Sequence, residues 1–175
     1  MLYPSIYIIT SSTNLGIMVL DRVTVVLHNV FSVYRVLEMA RLVYGLGFKT
    51  FIVTKASGAA AHEGVPQASR LAIKTNRNFF YLADLNDFIE LFKPDKAYLF
   101  VPKTYARDAF NFDEVVELLR DGKNIALVFG GGEPGLSRRD MEMGEAVYIV
   151  HIEDDIGAVP LASIVLYELL LRSRD

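Results

Sequence analysis

The sequence predicts an α/β fold: one domain built on a mostly parallel sheet with helices on both faces. Three observations carry this. Short β-branched runs alternate with amphipathic stretches along most of the chain. The strand-like runs are apolar throughout, the pattern of strands buried on both faces. Apolar residues make up 52% of the 175, and mean hydropathy is +0.29. That surplus must be buried, in a thick sheet core or in a subunit interface.

In chain order, strands are expected at Val23–His28, Thr50–Thr54, Phe79–Leu82, Ala97–Val101, Ile125–Phe129 and Ala146–Ile152. Helices are expected near Val33–Leu46, Val65–Asn76, Leu85–Phe92, Phe112–Leu119 and Leu136–Met143. Asn29 is suited to cap the first of them. A last helix runs near Ala158–Arg172, with Pro160 in its first turn. Its leucines, isoleucine and valines surround most of the circumference, so it needs two apolar walls: the sheet and a second subunit. Residues 1–17 have no evident partner. They read as an N-terminal extension of a domain spanning 18–175, with Met18 as an alternative start, or contribute an edge strand at Tyr7–Thr10.

Composition excludes several classes. There are no cysteines, hence no disulfides and no thiolate metal sites. The three histidines, His28, His62 and His151, lie far apart without ligand spacing, so no metal is expected. Long uncharged apolar runs are missing, and the N-terminus has no basic stretch before its apolar residues. Neither a membrane span nor a signal peptide is expected, and the location expected is cytoplasmic. A net charge of −3 argues against a general nucleic-acid coat protein but leaves room for a local basic patch.

In an open parallel sheet, ligands sit beyond the C-terminal strand ends. The unusual residues of this chain fall there. Four of the six residues Gly130–Gly135 are glycine, which implies a sharp turn or a close approach. Gly130, Gly132 and Gly135 formally satisfy G-x-G-x-x-G, and Asp155 lies twenty residues beyond Gly135. That is a dinucleotide fingerprint on paper, and an NAD-type binding protein is one reading. The next helix, however, has room for only about two turns. Arg35, six residues past Asn29, reads from periodicity alone as a surface arginine.

Taken in order and spacing, three segments resemble the SpoU-like branch of the SPOUT methyltransferases. The first is Asn29 to Arg35 on a helix ending at Gly45, Leu46, Gly47 and Phe48. The second is Leu127 to Gly130 followed by Gly135, Leu136 and Ser137. The third is the apolar run Ile156–Glu168. The resemblance spans Arg22 to Arg172. It implies a trefoil knot near the C-terminus, an exception to the usual absence of threaded loops. It also implies S-adenosylmethionine bound in that knot, mainly by backbone groups of Val101, Pro102, Gly130, Gly131, Gly132, Ile149, His151, Ile156 and Gly157. It gives Arg35, with Asn29, the catalytic role, and RNA (tRNA or rRNA) as substrate, modified at a ribose 2′-oxygen. A homodimer through the C-terminal helix is implied as well. Phosphate contacts would come from Arg35, Lys55, Lys103, Arg138 and Arg139. Two motifs depart from the family. Gly131 and Gly132 stand where Asn-Glu is usual, with Glu133 displaced by one. Residues Asp155, Ile156, Gly157, Ala158 and Val159 replace a Ser-Leu-Asn-x-Ser pattern. A catalytically weak RNA-binding homologue is the alternative within this fold.

Overall fold

A computed structural model describes residues 19–174. The suggested extension 1–17, the strand at Tyr7–Thr10 and the start at Met18 lie outside the described residues. Seven strands form one sheet, and every pairing is parallel. They are β1 (Val23–Val30), β2 (Thr50–Ala56), β3 (Asn78–Leu82), β4 (Lys96–Phe100), β5 (Asp108–Ala109), β6 (Ile125–Gly130) and β7 (Glu145–Tyr148). Their spatial order is β3-β2-β1-β6-β4-β7-β5. The helices are α1 (Val33–Gly45), α2 (Val65–Thr75), α3 (Leu85–Phe92), α4 (Phe112–Arg120), α5 (Arg138–Met141) and α6 (Ala158–Arg174). The α/β class expected from the sequence is the one found, with all six expected strands present.

The helices start where side chains can take up their free amides. Ser32 caps α1, accepting from the Arg35 amide at 3.3 Å. Asp84 caps α3 in a reciprocal box with Asp87. Asn111 caps α4. α2 and α3 stop at Asn76 and Lys93, both in the left-handed conformation.

The two faces of the sheet are unequally covered. Val23, Val25 and Leu27 pack on the thick side with α1, α2, α4 and α6. Val26, Ile52, Leu99, Ala126 and Val128 face the thin side, covered by Leu85 and Phe88 of α3 and edged by Leu136 and Met143. α6 buries Ala162, Val165, Leu166 and Leu169 completely. Each such leucine contributes about 1.5–3 kcal/mol of transfer free energy. Ile164, Tyr167 and Leu171 form an outward stripe on the same helix, at 45%, 54% and 43% exposure. Among the described residues nothing covers this outward side, where a second apolar wall was anticipated.

Candidate ligand-binding site at the strand ends

A cavity of ≈ 1000 Å³ opens beyond the C-terminal ends of β4, β6 and β7. Its floor is aromatic: Phe100 ends β4 and Phe129 nearly ends β6. Their rings stack at 4.7 Å and 4° because the strands pair in register there. Ile149, Ile152 and Leu161 add apolar wall, while Glu133, Asp154 and Asp155 bring carboxylates to the lining. Asp155 Oδ1 accepts from the Gly157 amide at 2.8 Å, fixing the turn into α6. Lys103 lies over the Tyr148 ring, 5.6 Å from its centre, and both line the cavity.

Most residues anticipated from the sequence converge on this cavity. Val101, Pro102, Gly130, Gly132, Ile149, Ile156, Gly157, Arg35, Lys103 and Arg138 all line it. Five do not: Asn29, Gly131, His151, Lys55 and Arg139. His151 is exposed, with φ +69 in the turn after β7. Lys55, φ +52 at the end of β2, belongs to a different corner of the sheet edge.

The glycines have reasons internal to the protein. A Cβ on Gly130 would stand 2.6 Å from the Gly135 backbone, so the loop closes on itself there. One on Gly131 would meet Val30 and Leu27 at 2.9 and 3.0 Å, and one on Gly132 the Asn29 carbonyl at 2.8 Å. Gly131 is buried against β1. The position thus belongs to the core, which is why Gly131 does not line the cavity where the resemblance implied a cofactor contact. The dinucleotide fingerprint fails on geometry as well. α5 has four residues, and the amides of its cap Ser137 and of Asp140 are taken inside the chain. The Asp140 carboxylate accepts from the Ser137 amide and hydroxyl at 2.7 Å each, and the Asp140 amide donates to Ser137 Oγ at 3.2 Å. The helix that should receive a pyrophosphate after the glycine loop is thus too short for that role.

Asn29 and Arg35 also differ from expectation. β1 runs two residues further than the sequence suggested, so Asn29 is inside it and Ser32 is the helix cap. Asn29, at φ +58, donates from Nδ2 to the Pro134 carbonyl at 3.2 Å. It ties the glycine loop to β1 rather than starting a helix. Arg35 is accordingly in the first turn of α1. Its Nη1 donates to the Gly131 carbonyl, and the half-buried guanidinium edges the cavity. A guanidinium has five N–H donors, so others stay available to a ligand.

The lining combines apolar and aromatic walls with the carboxylates of Glu133, Asp154 and Asp155 and the cations Arg35, Lys103 and Arg138, so the base, the positive charges and the carboxylate of a ligand such as S-adenosylmethionine would each find a partner. Sequence reasoning missed Phe100, Phe129 and Asp154, and singled out Asp155 only as part of a dinucleotide fingerprint and Glu133 only as a displaced motif residue. The aromatic ends of two adjacent strands were the available signal.

Behind the glycine loop lies a second grouping. His28 is fully buried opposite Gly130, with Nδ1 2.7 Å from Thr54 Oγ1. Its Nε2 stands 3.4 Å from Asp140 Oδ2, off the line of a hydrogen bond. Burial pulls the His28 pKa below its usual value, against the opposing pull of Asp140. Burial alone would raise Asp140, but the Ser137 hydroxyl and amide, with His28 behind them, outweigh it and hold this carboxyl below the usual range.

Comparison with solved structures places the fold. A probable methyltransferase from Bordetella pertussis superposes with a TM-score of 0.68 at 17% identity, covering 91% of this chain and 99% of that one. The SpoU methyltransferase AviRb from Streptomyces viridochromogenes, solved with S-adenosylmethionine, gives 0.65 at 15%, covering 87% of this chain and 60% of that one. The architecture is thus that of the SpoU-type methyltransferases. Sequence comparison gives a different description. A relative from Methanocaldococcus jannaschii, named as a candidate type II restriction enzyme, is 36% identical over 82% of this chain and 92% of its own. Another so named, from Aeropyrum pernix, is 38% identical over 86% and 94%. The sequence pattern of one family matches residues 58–168. On that match and these relatives, the chain belongs to the family described as RecB-family nuclease (DUF2122).

Proposed function

We propose that the protein binds S-adenosylmethionine in the strand-end cavity and methylates RNA, at a ribose 2′-hydroxyl. The observation that carries this is the cavity itself: three loops and Arg35 converge on an aromatic floor with a carboxylate rim. When bound, the cofactor supplies an electrophilic methyl group on a sulfonium. Phe100, Phe129, Ile149 and Leu161 would exclude water from it, while Glu133, Asp154 and Asp155 would favour its positive charge. Val101, Pro102, Gly130, Gly132, Ile156 and Gly157 would contribute backbone contacts. Arg35, anchored on the Gly131 carbonyl, would present its remaining donors to the acceptor hydroxyl or its neighbouring phosphate. A permanent cation fixed in place stabilises the charge that develops on that oxygen. Lys103 and Arg138 at the rim are the phosphate contacts in reach of the cavity. Lys55 and Arg139 would serve RNA only at longer range.

The C-terminal segment is proposed to be knotted, as in SPOUT proteins, and the active species to be a homodimer. The dimer rests on the outward stripe Ile164, Tyr167 and Leu171 of α6.

Calorimetric titration with S-adenosylmethionine, S-adenosylhomocysteine and NAD tests the reading. Saturable heat with the first two and none with NAD is expected; the reverse overturns it. The family description supplies a second reading, phosphodiester hydrolysis, which needs a divalent cation at the scissile phosphate. Cleavage of DNA or RNA in Mg²⁺ or Mn²⁺, without methyl transfer from labelled cofactor, would replace the methyltransferase reading.

A further inference from the structure

We propose that His28, Asp84 and Asp140 form a binding site for one first-row transition dication of the Zn²⁺ or Mn²⁺ kind, closing the sheet edge behind the glycine loop. The three residues come from three elements: the end of β1, the cap of α3 and the first turn of α5. One ligand atom from each lies within 4.8 Å of the others. Around a tetrahedral ion with bonds of about 2.1 Å, neighbouring ligand atoms are about 3.4 Å apart. His28 Nε2 and Asp140 Oδ2 already stand 3.4 Å apart. Asp84 brings its carboxylate within 4.8 Å of both, while its Oδ1 accepts from the Leu85 amide at 2.7 Å.

The second observation is the orphaned nitrogen. His28 Nε2 is fully buried and has no well-aligned hydrogen-bond partner among the described residues, yet it faces a carboxylate 3.4 Å away. Nδ1 at 2.7 Å from Thr54 Oγ1 accounts for the other side of the ring. With the proton on Nδ1 and donated to Thr54, Nε2 turns a bare lone pair toward Asp140. Two lone-pair groups facing each other in a buried place call for a cation between them. A ligating histidine that donates its other N–H to a fixed oxygen is the usual arrangement at metal sites. The imidazole nitrogen selects transition ions over Mg²⁺ or Ca²⁺, and three protein ligands leave a fourth position for water.

Lys55 is the competitor. Its ammonium bears electrostatically on both His28 and Asp140, yet it forms no ion pair within 4.0 Å among the described residues. A dication there would take over its role. The histidine spacing that argued against a metal considered only residues near in sequence. The fold brings in two carboxylates that spacing could not see.

The site does not depend on the methyltransferase reading, and its test needs neither cofactor nor RNA. Chelator-treated full-length protein is titrated with Zn²⁺, Mn²⁺ and Mg²⁺ by calorimetry, and with Co²⁺ by visible absorption. One equivalent of Zn²⁺ or Mn²⁺, none of Mg²⁺, and Co²⁺ d–d bands are expected. Asp84→Asn keeps the helix cap, because asparagine caps as well as aspartate. It should weaken binding at least tenfold, and His28→Gln should abolish it in a protein whose circular dichroism is unchanged. Lys55→Met should tighten binding. His62→Ala is the control that should change nothing. No binding by the wild type overturns the proposal. So does binding that Asp84→Asn and Lys55→Met both leave untouched, which would put the ion elsewhere. If His28→Gln fails to fold, those two variants decide.

Discussion

The glycine loop 130–137 has two unlike flanks. Toward β1 it is packed without slack: Gly131 lies against Val30 and Leu27, Gly132 against the Asn29 carbonyl, and the Gly131 amide donates to His28 at 2.7 Å. Toward β4 and β7 the same loop borders open space lined by side chains from three other segments. One flank fixes the loop's shape and the other uses it. Substitutions should therefore separate: on the β1 flank they cost stability first, on the cavity flank they cost function alone.

The largest effect is expected where the loop closes on itself and where it packs on β1. Gly130→Ala puts a methyl 2.6 Å from the Gly135 backbone, which cannot yield as a side chain would. A loss of about 3 kcal/mol is expected, and Gly131→Leu should lose at least as much. Urea unfolding measures both. A Gly131→Leu protein with wild-type stability and no ligand binding would erase the distinction between the flanks.

Next comes Arg35, on the cavity side. Arg35→Ala should reduce methyl transfer by on the order of 10²–10³ while leaving S-adenosylmethionine affinity nearly unchanged. Arg35→Lys should rescue only in part, because a point charge replaces a planar fork. Rate and affinity measured on the same preparation check this. Equal losses in both would make Arg35 a cofactor ligand instead.

At a third place, remote from either flank, Leu171→Glu should shift a dimer to monomer in light scattering without lowering unfolding stability, since the side chain is already exposed. Leu170→Glu is unsuitable for that purpose. Leu170 is buried within the protomer at 7% exposure, and a charge there would unfold the helix packing. A monomeric wild type removes the dimer proposal. The smallest effect is expected from Asn29→Ala, which removes the tether to Pro134 and should cost about 1 kcal/mol. The same urea titration resolves it.

The sheet was legible because its strands are unbroken apolar runs, a pattern that survives without knowledge of partners. β5 was not, since Asp108 and Ala109 are two exposed residues with no periodicity to read. The helix start near Asn29 was misplaced because Asn29 and Ser32 are both capping types. Only the pairing of Val30 with Ala56 shows the strand continuing between them. The cavity's backbone lining came from the family resemblance, and the rule about strand ends pointed to the same loops. Its acidic rim and aromatic floor did not, because they depend on which strands become neighbours. Asp84 and Asp140 beside His28 were beyond reach for the same reason.

The order β3-β2-β1-β6-β4-β7-β5 has a consequence for how the chain acquires its shape. β6 pairs with β1 on one side and β4 on the other, in six and five residue registers. Until residues 125–130 are in place, a nascent chain can pair only β3, β2 and β1, because β4 and β5 find their partners in β6 and β7, which follow them in the chain. The β1–β6 contacts span about a hundred residues of sequence, and such non-local closure slows folding. A polypeptide halted before β6 should present the open edge of β1 and an unpaired β4, and a chaperone that shields strand edges should speed its recovery.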